Sequence, residues 1–92
     1  MRQYANKRDA NEREIIKALK KIGCSVVQVN DPGLPDLSVG YRARNFWIEC
    51  KMPGGSLTDP QKEFFRKWKG QCRVVETAEE AIELVTECYE KI

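Results

Sequence analysis

An α/β domain built on one mixed four-stranded sheet, flanked by helices, is the fold class that this sequence predicts. Three observations predict it. Short apolar runs of strand length alternate with segments whose apolar residues recur at helical spacing, in the order α-β-β-β-α-β-α. The second and third runs are separated only by a turn-forming stretch, so they pair as a hairpin. The third and fourth are separated by a whole helix, which implies a right-handed parallel crossover. A chain of 92 residues has room for one modest core, and 1–92 reads as a single domain.

Each element has a local reason. Residues 1–8, MRQYANKR, are polar and basic and read as a loose arm or an early extension of the first helix. From Asp9 or Asn11 a helix runs to about Ile22, with Ile15, Ile16, Leu19 and Ile22 as its apolar stripe and Gly23 as its stop. CSVVQV reads as the first strand, and NDPGLP breaks the chain. A second strand covers Asp36 to Val39, GYRARN turns, and Phe46 to Lys51 forms the third strand. After the loop MPGGS, TDPQ opens a helix: Thr58 suits the N-cap, Pro60 the first turn and Gln61 the capping-box position. Phe64, Phe65 and Trp68 give that helix its apolar face, and Gly70 ends it. CRVVE makes the fourth strand. TAEE repeats the capping logic and launches a last helix that buries Ala78, Ala81, Ile82, Val85, Cys88 and Tyr89.

Composition removes several function classes. The net charge of +2 excludes a strongly basic, histone-like binder, although a local basic surface stays open. Cys24, Cys50, Cys72 and Cys88 contain no C-x-x-C pair, and the chain has no histidine, so a small structural zinc protein is a poor fit. Without histidine there is no Ser-His-Asp or Cys-His catalysis and no imidazole base. No apolar run has the length of a membrane span, and the thiols read as reduced, so a cytoplasmic protein is expected.

Some polar residues sit where a plain core would prefer something else. A strand points i and i+2 to one face, so Trp47, Glu49 and Lys51 share a face while Phe46, Ile48 and Cys50 line the other. Glu12 falls within the apolar stripe of the first helix, whereas Glu14 points away. Asp36 follows Pro35 at the mouth of the second strand, and Gln61 shares the face of Phe64, Phe65 and Trp68. Each has a plain reading alone: a turn for Asp36, an edge-guarding pair for Glu49 and Lys51, the helix dipole for Glu12, a cap for Gln61. Together, acids converging on one site call for a cation, and magnesium accepts carboxylates, a backbone carbonyl and waters. Lys51 beside Glu49 suits orienting or deprotonating water, or stabilising a pentavalent phosphate, in phosphodiester hydrolysis.

LPDL at Leu34–Leu37 followed by IECK at Ile48–Lys51 resembles the PD-(D/E)XK nuclease signature. GLPDLSVG, ECKMPGGSLTDPQ and VVETAEEAIELV are similar to its compact, stand-alone VRR-NUC branch. Glu12–Arg13, opening an apolar helix that ends at Gly23, resembles archaeal Holliday-junction resolvases of the same superfamily. The resemblance covers Asn11 to about Val85 and implies a restriction-endonuclease-like core. It implies that Asp36 and Glu49 hold Mg2+ or Mn2+, with the Cys50 backbone carbonyl as a further ligand. Lys51 would act on the attacking water, Glu12 would support the site, and Gln61 would contact water or phosphate.

The same resemblance implies a metal-dependent DNA endonuclease of bacterial or phage origin, a homodimer acting on branched DNA such as a Holliday junction, with no small-molecule cofactor. Candidate DNA contacts are Arg2, Lys7 and Arg8 on the arm, Arg42 and Arg44 around the hairpin turn, and Lys62, Arg66, Lys67 and Lys69 along the second helix. One departure is the short loop before Pro35, which lacks the basic or serine-rich insertion of some relatives. The alternative from a different class is a noncatalytic DNA-binding or assembly module on a nuclease-like scaffold.

Overall fold

A computed structural model describes residues 8–90 and contains the predicted elements in the predicted order. They are α1 (Glu12–Lys21), β1 (Ser25–Gln28), β2 (Leu37–Tyr41), β3 (Arg44–Cys50), α2 (Asp59–Lys67), β4 (Cys72–Val75) and α3 (Ala78–Glu90). The four strands form one mixed sheet in the order β1-β2-β3-β4. The first two pairings are antiparallel and β3–β4 is parallel, as a connecting helix between β3 and β4 requires. Among the described residues no helix is long and apolar enough to cross a membrane.

The core lies on one face of the sheet. Leu37 and Val39 of β2, Phe46, Ile48 and Cys50 of β3, and Val75 of β4 meet Ile15 and Leu19 of α1 and Ala81 and Val85 of α3. Strand alternation explains the choice, because every second residue of β3 from Phe46 is apolar. α3 buries Ala81 and Val85 as expected, with Ala78 and Ile82 only half-buried. Cys88 and Tyr89, also expected on that face, have side chains outside the described residues. Cys24, Cys50 and Cys72 are free thiols, and burial raises the pKa of each.

The opposite face carries α2, whose docking is aromatic. Trp47 of β3 meets Phe64 edge-on at 5.5 Å and Trp68 edge-on at 5.9 Å, while Phe64 and Trp68 stack at 5.2 Å. α2 is shorter than expected. It stops at Lys67, and Trp68 is its C-cap in extended conformation, left 45% exposed, so the expected helical run to Gly70 does not form.

Two turns decide the register. β2 and β3 both extend further toward the turn than expected, while Asp36 and Lys51, expected inside them, fall one residue outside their far ends. The six-residue turn GYRARN contracts to Arg42 and Ala43 between the paired Tyr41 and Arg44. Both turn residues have positive φ, 52° and 65°, the conformation of a two-residue type I′ hairpin. Arg44 is therefore a strand residue. Beyond β3, Gly55 N donates to Met52 O at 2.9 Å across Pro53 and Gly54, whose φ of 86° suits glycine.

Candidate active site

Leu37 pairs with Ile48 in the β2–β3 ladder, so one step further out Asp36 stands across from Glu49. Alternation sends Leu37 and Ile48 into the core and turns both acids to the face that carries Trp47 and α2. The backbone locks the two together. Asp36 N donates to Glu49 Oε1 at 3.2 Å, and Cys50 N donates to Asp36 Oδ2 at 2.9 Å. Glu49 is only 1% exposed.

Two carboxylates this close and this dry resist ionising together. Burial, then the charge of Asp36, pushes Glu49 up to about 7, against the partial relief that Lys51 supplies. Asp36 is also raised, mainly by burial, although the Cys50 amide and Arg8 pull the other way. Burial, and for Glu49 the charge of Asp36, makes ionisation of the pair costly, a cost that a cation between them would relieve. That is the electrostatic condition of a cation site.

Lys51 and Gln61 complete the Glu49 side. Lys51 stands one residue past the end of β3 but continues its alternation, and its Nζ lies 3.5 Å from Glu49 Oε2. Gln61 serves twice: Oε1 accepts from Thr58 N at 2.9 Å and closes the capping box, while Nε2 donates to Glu49 Oε2 at 2.9 Å. The cap and the site are therefore one arrangement. The Trp47–Phe64–Trp68 cluster holds α2 where that hydrogen bond is possible.

Glu12 is buried at 2% exposure, as its place in the apolar stripe predicts. Among the described residues no hydrogen bond joins it to Asp36 or Glu49. Its Oε2 accepts from Arg8 Nη1 at 2.7 Å and from Gln28 Nε2 at 3.3 Å, and its Oε1 has no hydrogen-bond partner among the described residues. Arg8 makes the link, with Nη1 also 3.6 Å from Asp36 Oδ1. Its Nη2 donates to Val29 O at 2.8 Å and to Asn30 Oδ1. Arg8 was expected on a loose basic arm as a phosphate contact; instead it is turned inward among acids.

Two residues that sequence reasoning passed over fix the site's frame. Asn11 precedes α1 and reads as a cap, yet its side chain makes no cap hydrogen bond. Its Nδ2 donates instead to Lys51 O at 3.1 Å and Glu76 O at 2.7 Å, tying together the chain just beyond β3 and β4. Asp9 Oδ2 accepts from Met52 N at 2.8 Å. For Arg8 the available signal was its i,i+4 spacing from Glu12. Asn11 and Asp9 carry no such signal, because their partners are distant backbone groups.

The remaining DNA candidates scatter. Arg42 is exposed at the hairpin tip, its guanidinium 5.2 Å from the Tyr41 ring centroid. Arg44 sits five residues along β3 from Glu49, roughly 17 Å at strand rise. It lines a separate hollow with Glu80, Glu83 and Glu87 of α3, so it does not join the cleft. Arg66 and Lys67 pair with Glu63 at 2.7 and 3.1 Å, and Lys62 and Lys69 are exposed. Arg2 and Lys7 lie outside the described residues.

Asp36, Glu49, Lys51 and Gln61 line one open cleft with Arg8 and Asp9. No protein-family model matches the chain, and no curated protein matches it with significance. Among the described residues no group of three or more His, Cys, Asp or Glu side chains is arranged around a metal position. A hard divalent cation such as magnesium needs fewer, since one or two carboxylates with backbone carbonyls and waters suffice. Asp36 and Glu49, both raised and facing each other, fit that need.

Proposed function

We propose that this protein is a metal-dependent deoxyribonuclease that hydrolyses phosphodiester bonds. The observation that carries the reading is the facing pair Asp36 and Glu49, both pushed up by burial, with the Lys51 ammonium 3.5 Å from Glu49. The likeness of LPDL and IECK to the PD-(D/E)XK pattern names the chemistry that such a trio serves.

Asp36 and Glu49 would hold Mg2+ or Mn2+, with the Cys50 carbonyl as the backbone ligand on the same strand. The ion, when bound, supplies Lewis acidity toward the phosphoryl group and lowers the pKa of water. Gln61 Nε2 fixes the rotamer of Glu49, and Cys50 N fixes that of Asp36. Lys51 Nζ, on the cleft side of Glu49, donates hydrogen bonds to the attacking water or to a nonbridging phosphate oxygen. Glu12 acts at one remove by anchoring Arg8.

Branched DNA as substrate and a homodimer with two clefts belong to the same reading. The test is cleavage of matched junction, flap and linear duplexes in Mg2+ or Mn2+, with solution mass measured alongside. The wild type is expected to cut, with preference for the branched substrates. Lys51→Ala is expected to lose cleavage by at least about a hundredfold, as loss of a group acting at the reacting centre does, while it still folds and binds DNA. Full cleavage by Lys51→Ala would remove that residue from the mechanism. DNA binding without cleavage by the wild type would make this a noncatalytic module.

A further inference from the structure

We propose that Arg8 is the built-in counter-cation of the cleft: its single charge is shared between Glu12 and Asp36 in the metal-free protein, and it yields Asp36 when a divalent cation binds. The inference rests on the metal reading above and assigns Arg8 the setting of metal affinity.

The four contacts of the guanidinium are unequal. Nη1 is held at 2.7 Å by Glu12 Oε2 but stands 3.6 Å from Asp36 Oδ1, too far for a hydrogen bond. Nη2 is fixed by Val29 O and Asn30 Oδ1 at the exit of β1. The grip on Asp36 is thus purely electrostatic, while three hydrogen bonds fix the group independently of Asp36. Losing Asp36 to a metal would leave Arg8 seated. Its neighbour Asp9 is itself tied to Met52 N just past Lys51, so the segment before α1 is part of the cleft wall.

Charge then sets the consequence. A fixed guanidinium beside Asp36 stabilises its carboxylate without metal and repels an arriving cation. The repulsion weakens metal binding relative to a chain with a neutral group at position 8. A residue that merely propped the wall open would act in the opposite direction when removed.

Calorimetric Mn2+ titration of the wild type, Arg8→Gln and Arg8→Lys tests this, with thermal melts in chelator and in Mn2+. Arg8→Gln is expected to bind Mn2+ roughly tenfold more tightly, and Arg8→Lys to stay near the wild type. In chelator Arg8→Gln should melt below the wild type, and saturating Mn2+ should narrow the gap. Equal or weaker Mn2+ binding by Arg8→Gln overturns the proposal and leaves the metal reading intact. A silent titration of the wild type overturns both. In the unmodified chain, the Arg8 Nε–H NMR resonance should shift on Mg2+ addition with the calorimetric midpoint, and an unmoved resonance also refutes the proposal.

Discussion

Gln61 donates from Nε2 to Glu49 Oε2 at 2.9 Å while its Oε1 closes the cap of α2 on Thr58 N. One side chain therefore couples the start of a helix to the central acid of the cleft. Glutamate also serves at this capping-box position. Gln61→Glu keeps the cap but sets a third carboxylate against Glu49. At pH 5, where Glu49 holds its proton, chelated Gln61→Glu should unfold close to the wild type. At pH 8 it should be less stable by about 1–2 kcal/mol. Urea unfolding at both pH values checks this, and equal losses at the two would show that the contact is only part of the cap.

The aromatic cluster predicts an effect at a distance. Phe64 stacks on Trp68 and meets Trp47 edge-on, and this contact seats α2 on the sheet. Phe64→Ala should cost about 2–3 kcal/mol, less than a fully buried phenylalanine because the site is half-exposed. It should also lower cleavage under conditions where the chain is still folded, because Gln61 loses its position over Glu49. Thermal melts and cleavage at a temperature well below the melting point separate the two losses.

Much of the fold was legible because its elements obey local rules. The alternation Phe46, Ile48, Cys50 against Trp47, Glu49, Lys51 assigned both faces of β3, and TDPQ announced α2. The facing of Asp36 and Glu49 followed from a hairpin register that the sequence only outlined. Arg42 and Ala43 form a two-residue turn without the glycine or asparagine that usually marks one, so the turn looked longer than it is. Arg8 was read as a phosphate contact because it closes a basic run. Its fate depends on Glu12, Val29, Asn30 and Asp36 meeting in space, and only the first of these is a sequence neighbour. The bridge from Asn11 to Lys51 O and Glu76 O was illegible for the same reason: a backbone carbonyl has no letter in the sequence.

That turn yields a stability prediction independent of function. Ala43 holds φ at 65°, where its Cβ crowds the backbone and glycine would not. Ala43→Gly should stabilise the chain by about 0.5–1 kcal/mol, the relief of strain exceeding the added entropy of the unfolded glycine. A higher melting temperature with unchanged metal binding is the expected result. A lower one would mean that the hairpin tip does not adopt this turn in solution.

The raised carboxyls give the stability of the metal-free protein an unusual slope. Glu49 moves from an ordinary value near 4.5 to about 7, and Asp36 moves in the same direction. Between those values the folded chain holds more protons than the unfolded chain, so unfolding releases protons and stability falls as pH rises. In chelator, the melting temperature should be higher at pH 5 than at pH 8 and level off above the Glu49 pKa, with Glu49 contributing at most about 3 kcal/mol. Glu49→Gln, uncharged at every pH, should remove most of the slope. Mn2+ should flatten the wild-type slope as well, because the cation takes the place of the proton on the acid pair. Its apparent affinity should climb as pH rises toward 7, by up to about tenfold for each pH step where one proton is displaced. Stability in chelator that rises from pH 5 to pH 8 would mean that Asp36 and Glu49 are already neutralised, and the case for a cation between them would be lost.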